Sequence, residues 1–122
     1  LIRKLETAND GDTVELWGSG NPLRQQLYID DLCGLIPRLL AGHNSDKPLI
    51  VSNDENLSIR QMADIAREVL NKDVLFSFNG AYEGQHRKDG SNRALIELIG
   101  KYDFTKFKDG VKKTYNWYLE NK

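Results

Sequence analysis

The chain has 122 residues, of which 39% are hydrophobic and 29% charged, and its formal net charge is −1. This length predicts one domain over residues 1–122, and the near-neutral charge argues against nucleic acid or a membrane surface as a partner. A single cysteine excludes an intrachain disulfide and favours a cytoplasmic setting, and no apolar run reaches the roughly 18 residues of a membrane span.

The first predicted elements are a helix end and two strands. Ile2 and Leu5 lie at helical spacing, whereas residues 14–17 and 26–29 have the apolar character of strands. Residues 18–25, which contain two glycines and a proline, predict a tight turn between these strands. The absence of a signal-peptide pattern and of an initiator Met leads us to expect a piece of a longer protein.

A long helix is predicted next. Asp30 or Asp31 is a suitable N-cap, because a carboxylate can accept a hydrogen bond from an unpaired backbone N–H. Apolar residues then recur on one helical face up to Gly42, a residue typical of a helix end. Pro37 lies inside this pattern and should kink the helix.

The second half of the chain begins with a predicted buried strand at residues 48–52. Ser58 and Gln61 have the spacing of a capping box at the start of a helix over residues 59–71. A further strand is predicted at residues 74–78.

The remaining elements are a polar loop and two helices. The loop covers residues 79–90, Ser91 or Asn92 is expected to cap a short helix, and Thr105 is expected to cap the last one. Short strands that alternate with helices predict an α/β or small α+β fold.

One segment, Trp17-Gly-Ser-Gly-Asn-Pro-Leu-Arg24, carries the clearest chemical signal. Its turn would hold a flat aromatic ring near the planar, permanently charged guanidinium of Arg24. That pairing suits a ligand with a sugar or base face and a phosphate. The alternative is a surface hairpin with an incidental arginine.

Further along the chain, other segments fall in a familiar order: Tyr28-Ile-Asp-Asp31, Leu57-Ser-Ile-Arg60, Glu83-Gly-Gln-His-Arg87-Lys88 and Tyr115-Asn-Trp-Tyr118-Leu119. With the glycine turn, they resemble the C-terminal third of the GDP-L-fucose synthases, NADP-dependent epimerase/reductases of the extended short-chain dehydrogenase family. Two positions depart from the family pattern. Glu83 stands where Asp is usual, and residues 51–53 replace a glycine-containing turn.

The resemblance implies the C-terminal substrate-binding domain of such an enzyme, without the Rossmann domain that binds NADP(H). The G-x-x-G-x-x-G turn of that domain does not occur in these 122 residues, and the family's catalytic residues lie upstream of the resembled part. We therefore expect no catalytic residue and no cofactor-binding residue in this chain. The missing N-terminal Rossmann domain is an implied partner, and the whole enzyme is implied to be a homodimer.

The resemblance also implies which residues contact a GDP-sugar. Trp17, Arg24 and Lys88 fall at substrate-contacting positions of the family, Arg87 supplies a further cation, and Glu83 could accept hydrogen bonds from hydroxyls. The alternative is a solvated charged loop for the cations, and a core or hairpin aromatic for Trp17.

Other reactive residues are expected to be inert. Residues 102–106 and 118–122 both spell Tyr-x-x-x-Lys, but neither follows a cofactor turn. Cys33 is predicted to be a buried thiol and His43 to be solvated, whereas His86 lies in the loop that could contact a ligand. No cluster has the spacing of a metal site.

The function implied by the resemblance is part of an enzyme. The whole enzyme would epimerise GDP-4-keto-6-deoxymannose at C3 and C5 and then reduce C4 with hydride from NADPH. The alternatives are a stand-alone, non-catalytic nucleotide-sugar-binding module, a folded remnant without a ligand, or part of an enzyme for a UDP- or dTDP-sugar.

Overall fold

The computed structural model describes all 122 residues, in which helices are interspersed with short strands. This mixture confirms the predicted α/β class. None of the helices is both long and apolar enough to cross a membrane. In chain order the elements are α1 (Ile2–Thr7), β1 (Thr13–Leu16), β2 (Leu23–Arg24), α2 (Ile29–Gly42), β3 (Leu57–Ser58), α3 (Ile59–Val69), β4 (Leu75–Phe78), β5 (Arg87–Lys88), α4 (Arg93–Ile99) and α5 (Phe107–Asn121).

The strands form two separate sheets. Strand β1 pairs in parallel with β4, so that Leu16 lies opposite Phe78. Strand β2 is the middle strand of the other sheet, antiparallel to β3 and parallel to β5. The glycine turn joins two strands as predicted, but the hairpin alternative is excluded, because this turn carries the chain from one sheet to the other.

The predicted strand at residues 26–29 is also wrong. Tyr28 is extended, but Ile29 already begins α2, and β2 is shorter and earlier than predicted. Leu27 and Tyr28 are half-buried without a strand partner, whereas Ile29 is exposed. Strand β5 was missed because it lies in a polar segment without periodicity.

The buried core lies where α1, β1, α3 and α5 meet. Helix α3 occupies its centre, and the predicted capping box is confirmed at its start. The Ser58 hydroxyl accepts from the Gln61 backbone N–H at 3.1 Å, and the Gln61 side chain accepts from the Ser58 N–H at 2.8 Å. The cluster consists of Leu5, Val14, Ala66, Leu70, Val74 and Val111.

Asp31 ties α2 to the segment before α5 and does not cap its own helix. Its carboxylate is 7% exposed and accepts from the Thr105 backbone N–H at 2.8 Å, the Thr105 hydroxyl at 3.0 Å and the Tyr102 hydroxyl at 3.4 Å. The start of α5 is satisfied by Glu55, which accepts from the Phe107 N–H at 2.6 Å. The N-cap predictions for Asp30 or Asp31 and for Thr105 are therefore wrong: the N-caps of α2 and α5 are Tyr28 and Lys106, and distant partners replace local ones.

Two further predictions are wrong, and a third holds for one of its two residues. Residues 48–52 form no strand, since the Ser52 backbone N–H is bonded to the Asn92 side chain instead of to a neighbouring strand. Of the two expected caps of α4, the Ser91 hydroxyl accepts from the Arg93 backbone N–H at 3.3 Å, whereas the Asn92 side chain is engaged by Ser52 and Asp54. Cys33 is exposed rather than buried, because it lies on the face of α2 away from the core.

We expect the Asp31→Ala substitution to lower the free energy of unfolding by about 3 kcal/mol, since it leaves a buried amide and two hydroxyls without their acceptor. Asp30, the exposed residue before it in the same helix turn, is the matched control. Asp30→Ala should cost less than about 1 kcal/mol, from the helix dipole and its hydrogen bond with the Tyr28 side chain. Urea denaturation measures both values, and equal losses would contradict the role given to Asp31.

Candidate binding site

The glycine turn after β1 is packed tightly against the end of β4. Gly18 and Gly20 have φ values of +76° and +81°, in the left-handed region that favours glycine. A Cβ atom on Gly20 would lie 2.6 Å from the Phe78 ring. Arg60 also holds the turn. Its backbone N–H donates to the Gly20 carbonyl at 2.9 Å, and its guanidinium lies 4.1 Å from the centre of the Phe78 ring.

The carboxylate of Glu83 joins this turn to the loop after β4. It accepts from the Ser19 backbone N–H at 2.6 Å and from the Ser19 hydroxyl at 2.9 Å. The Gly18 N–H donates to the Ala81 carbonyl at 2.8 Å, and the Gly80 N–H donates to the Gly18 carbonyl at 3.1 Å. Both oxygens of Glu83 are thus engaged within the protein, and a contact from Glu83 to a ligand stays a prediction.

Two aromatic rings stand on this joined pair of loops. The exposed fraction of Trp17 is 66% and that of Tyr82 is 82%, and their ring centres lie 5.2 Å apart at an angle of 47°. The core alternative for Trp17 is excluded by this exposure. Tyr82 was not predicted as a site residue, because the polar loop around it shows no periodicity.

Strands β2 and β5 bring two of the predicted cations side by side. In their parallel register Arg24 lies opposite Lys88, whereas Leu23 lies opposite Arg87. Residues opposite one another in a pair of strands project from the same face of the sheet. Arg24 and Lys88 therefore share one face, and the alternation along β5 places Arg87 on the other.

The two kinds of cation also differ in their partners. Arg87 forms an ion pair with Asp89 at 2.6 Å, and this contact holds the pKa of the Asp89 carboxyl below its usual value. Neither Arg24 nor Lys88 takes part in an ion pair. Two neighbouring cations without a carboxylate form a site that attracts an anion.

Gly84 gives Arg24 its room. A Cβ atom at this position would lie 3.2 Å from Arg24 Nη2, closer than most side-chain contacts. In the sequence motif, Gly84 appeared only as a spacer after Glu83. It lets the loop pass close to the guanidinium.

The structure thus divides the five predicted site residues into groups. Trp17 and Glu83 lie on the joined loops, Arg24 and Lys88 form the cation pair, and Arg87 is set apart by its partner Asp89. An apolar groove of about 560 Å³ between α1, α3 and α5 contains none of them.

In the first Tyr-x-x-x-Lys segment, the Tyr102 hydroxyl donates to the Asp31 carboxylate at 3.4 Å. Partial burial raises the pKa of the Tyr102 hydroxyl, and the nearby Asp31 carboxylate raises it further. Lys122 is paired with Glu6 at 2.6 Å. A proton donor would instead need a pKa lowered toward neutrality.

Two structural features bear on cofactor and metal binding. The glycine turn leads into β2 and not into a helix, so it does not fit a dinucleotide pyrophosphate, which rests on a helix N-terminus. No group of three or more His, Cys, Asp or Glu side chains is placed to hold a metal ion.

We expect Glu83→Ala to reduce the protection of the Ser19 amide against hydrogen exchange by at least about tenfold, because its charged acceptor is lost. Glu97→Ala, which removes an exposed carboxylate on α4, is the control and should leave Ser19 unchanged. Amide hydrogen exchange followed by NMR measures the protection of Ser19 in both variants. Unchanged protection of Ser19 in Glu83→Ala would show that the carboxylate does not hold the turn.

Comparison with known proteins adds an independent line of argument. No protein-family model matches the chain. The chain is 32% identical over 129 residues to a putative GDP-L-fucose synthase 2 from Arabidopsis thaliana, and the alignment covers 99% of this chain. The chain spans only 38% of the length of that relative.

Solved structures agree along nearly the whole chain. A GDP-L-fucose synthetase from Naegleria fowleri matches with a TM-score of 0.89 and 30% identity, over 99% of this chain and 38% of its own. That enzyme has also been solved bound to NADP. A UDP-glucuronic acid 4-epimerase from Bacillus cereus matches with a TM-score of 0.81 at 16% identity, which shows a shared fold.

Proposed function

Because this chain is homologous to the C-terminal part of the GDP-L-fucose synthases, within the extended short-chain dehydrogenase family, we propose that it is the substrate-binding portion of such an enzyme. The substrate would be GDP-4-keto-6-deoxymannose, and the chain would be inactive alone. The proposal rests on one observation. Arg24 and Lys88 lie side by side on one face of the sheet, and neither forms an ion pair with a carboxylate.

The cation pair suits the diphosphate of a GDP-sugar. Arg24 offers a planar fork that can bind two phosphate oxygens at once, and Lys88 adds a compact positive charge. Trp17 presents an exposed ring that could cover a flat part of the ligand. In this arrangement Glu83 and Arg87 mainly hold the loops in position, since each already has an internal partner.

The redox cofactor belongs, in this proposal, to another part of the enzyme. The Naegleria fowleri relative binds NADP, and NADP(H) would supply hydride chemistry in a whole enzyme of this kind. Since the glycine turn of this chain does not fit a dinucleotide, we assign the cofactor to the portion that precedes the matched region in the relatives. The residues of this chain would bind and orient the nucleotide sugar.

The preceding portion would also be the partner that covers two apolar surfaces. One is the groove of about 560 Å³, whose lining includes Leu1, Ile2 and Phe107. A preceding portion would join the chain at Leu1, and so inside this groove. Homodimerisation of the whole enzyme rests on the family resemblance alone.

The other surface is a stripe along α2. Its residues share one helical face and are exposed although mostly apolar, which is typical of a surface that packs against another body. They are Ile29, Cys33, Ile36 and Leu40. The exposed fraction is 59% for Ile29, 43% for Ile36 and 81% for Leu40, and Cys33 is exposed as well. This stripe gives the exposure of Cys33 a physical reason.

We expect this chain to bind GDP weakly, and both Arg24→Ala and Lys88→Ala to reduce the affinity by about tenfold or more, since each removes a phosphate contact. Lys101→Ala, an exposed lysine paired with Asp103, is the control. Calorimetry at low and high salt measures the affinities, which should fall with salt. An Arg24→Ala variant that folds and binds GDP as tightly as the parent would show that the site is wrongly assigned.

We expect no NADPH consumption with the keto sugar by this chain alone, and restored consumption when the N-terminal portion of the Naegleria fowleri enzyme is added. Leu40→Glu should weaken that restoration without changing GDP affinity, because a charge would be buried in the docking surface. NADPH absorbance measures the reaction. Turnover by the chain alone would contradict the division of labour, and GDP binding without any restoration would favour the stand-alone module.

A further inference from the structure

The backbone of Tyr82 has an unfavourable conformation, and its largely exposed side chain has little packing to offset this. Its φ value is +56°, in the left-handed region, and 82% of the residue is exposed to solvent. Asn71 is the only other non-glycine residue with a positive φ, and asparagine tolerates that region far better than tyrosine does. Glycine would serve the backbone at position 82 better, so the aromatic side chain needs another explanation.

The residues on both sides of Tyr82 are anchored to the glycine turn. Ala81 accepts from the Gly18 N–H at 2.8 Å, and its own N–H donates to the Asn79 side chain at 3.0 Å. Glu83 holds Ser19 through two hydrogen bonds. The surrounding contacts therefore impose the backbone conformation of Tyr82 and fix its ring beside Trp17.

Two segments of the chain run side by side and repeat the same order of chemistry. One runs from Trp17 to Arg24, the other from Tyr82 to Lys88, and each begins with an exposed aromatic ring and ends with a cation that forms no ion pair. The Leu23 N–H, which donates to the His86 carbonyl at 2.7 Å, joins them between these ends. The result is an aromatic pair at one end of a ribbon and a cation pair at the other.

We propose that Tyr82, together with Trp17, stacks on the planar base of a nucleoside diphosphate whose phosphates are held by Arg24 and Lys88. The inference rests on the proposed function and adds a residue and a role to it. A base is favoured over a hexose because the neighbouring carboxylate of Glu83 is already occupied by Ser19. Two exposed rings offer stacking area, which a flat base uses better than a hydroxyl-covered sugar does.

The test uses the fluorescence of Trp17 in this 122-residue chain. The other tryptophan, Trp117, is 64% exposed on α5, and Trp117→Phe removes its signal in every sample. Titrations use GDP, GDP-mannose and inorganic pyrophosphate, the last of which has charge but no base. The variants are Tyr82→Phe, which keeps a ring, and Tyr82→Gly, which removes the ring and relieves the positive φ.

We expect GDP to change the Trp17 emission, whereas pyrophosphate binds, as followed by calorimetry, without that change. Tyr82→Gly should weaken GDP and GDP-mannose binding about tenfold, the typical worth of one stacked base, and leave pyrophosphate binding unchanged. Tyr82→Phe should remain within about twofold of the parent, because the stacking face is kept. The melting temperature of Tyr82→Gly should not fall, which separates lost binding from lost folding.

Three results would overturn the inference while the proposed function stands. They are GDP binding unchanged in Tyr82→Gly, an equal loss for GDP and pyrophosphate, and a loss confined to GDP-mannose, which would assign the rings to the hexose. If the parent chain binds none of the three ligands, the proposed function itself fails and this inference fails with it.

Discussion

The hydrogen bonds between Glu83 and Ser19 join residues 64 positions apart in the chain, and the candidate site is arranged around them. The turn from Trp17 to Gly20 connects two different sheets and has no ladder of its own to hold it. The carboxylate adds to the backbone hydrogen bonds of Gly18 and Gly20, since it accepts from both the backbone and the hydroxyl of Ser19. Together these contacts hold the aromatic pair beside the start of β2.

The predictable part of the fold is the part whose signals are local. Helix α3 begins where it was predicted because Ser58 and Gln61 satisfy each other within a single turn. The starts of α2 and α5 were predicted less well, because Asp31 serves Thr105 and Glu55 serves Phe107, across 74 and 52 positions. A capping residue is visible in a sequence window, but an acceptor borrowed from another element is not.

The site was predictable in composition and not in geometry. The motifs named the residues of both loops, yet only the register of two-residue strands shows that Arg24 stands beside Lys88 while Arg87 faces elsewhere. Tyr82 was missed for a related reason. Its backbone conformation is imposed by contacts of Ala81 and Glu83 with a distant turn, and tyrosine carries no local signal for a positive φ.

The small extent of the core has a thermodynamic consequence. Only 16 of the 122 residues are buried, and the α2 stripe and the apolar groove leave further hydrophobic side chains in water. A partner that binds these surfaces only when the chain is folded would also shift the folding equilibrium toward the folded state, by mass action. In the proposed assembly, folding and docking of this region would be linked equilibria, and a substitution on the exposed stripe would change the apparent stability further when the covering body is present.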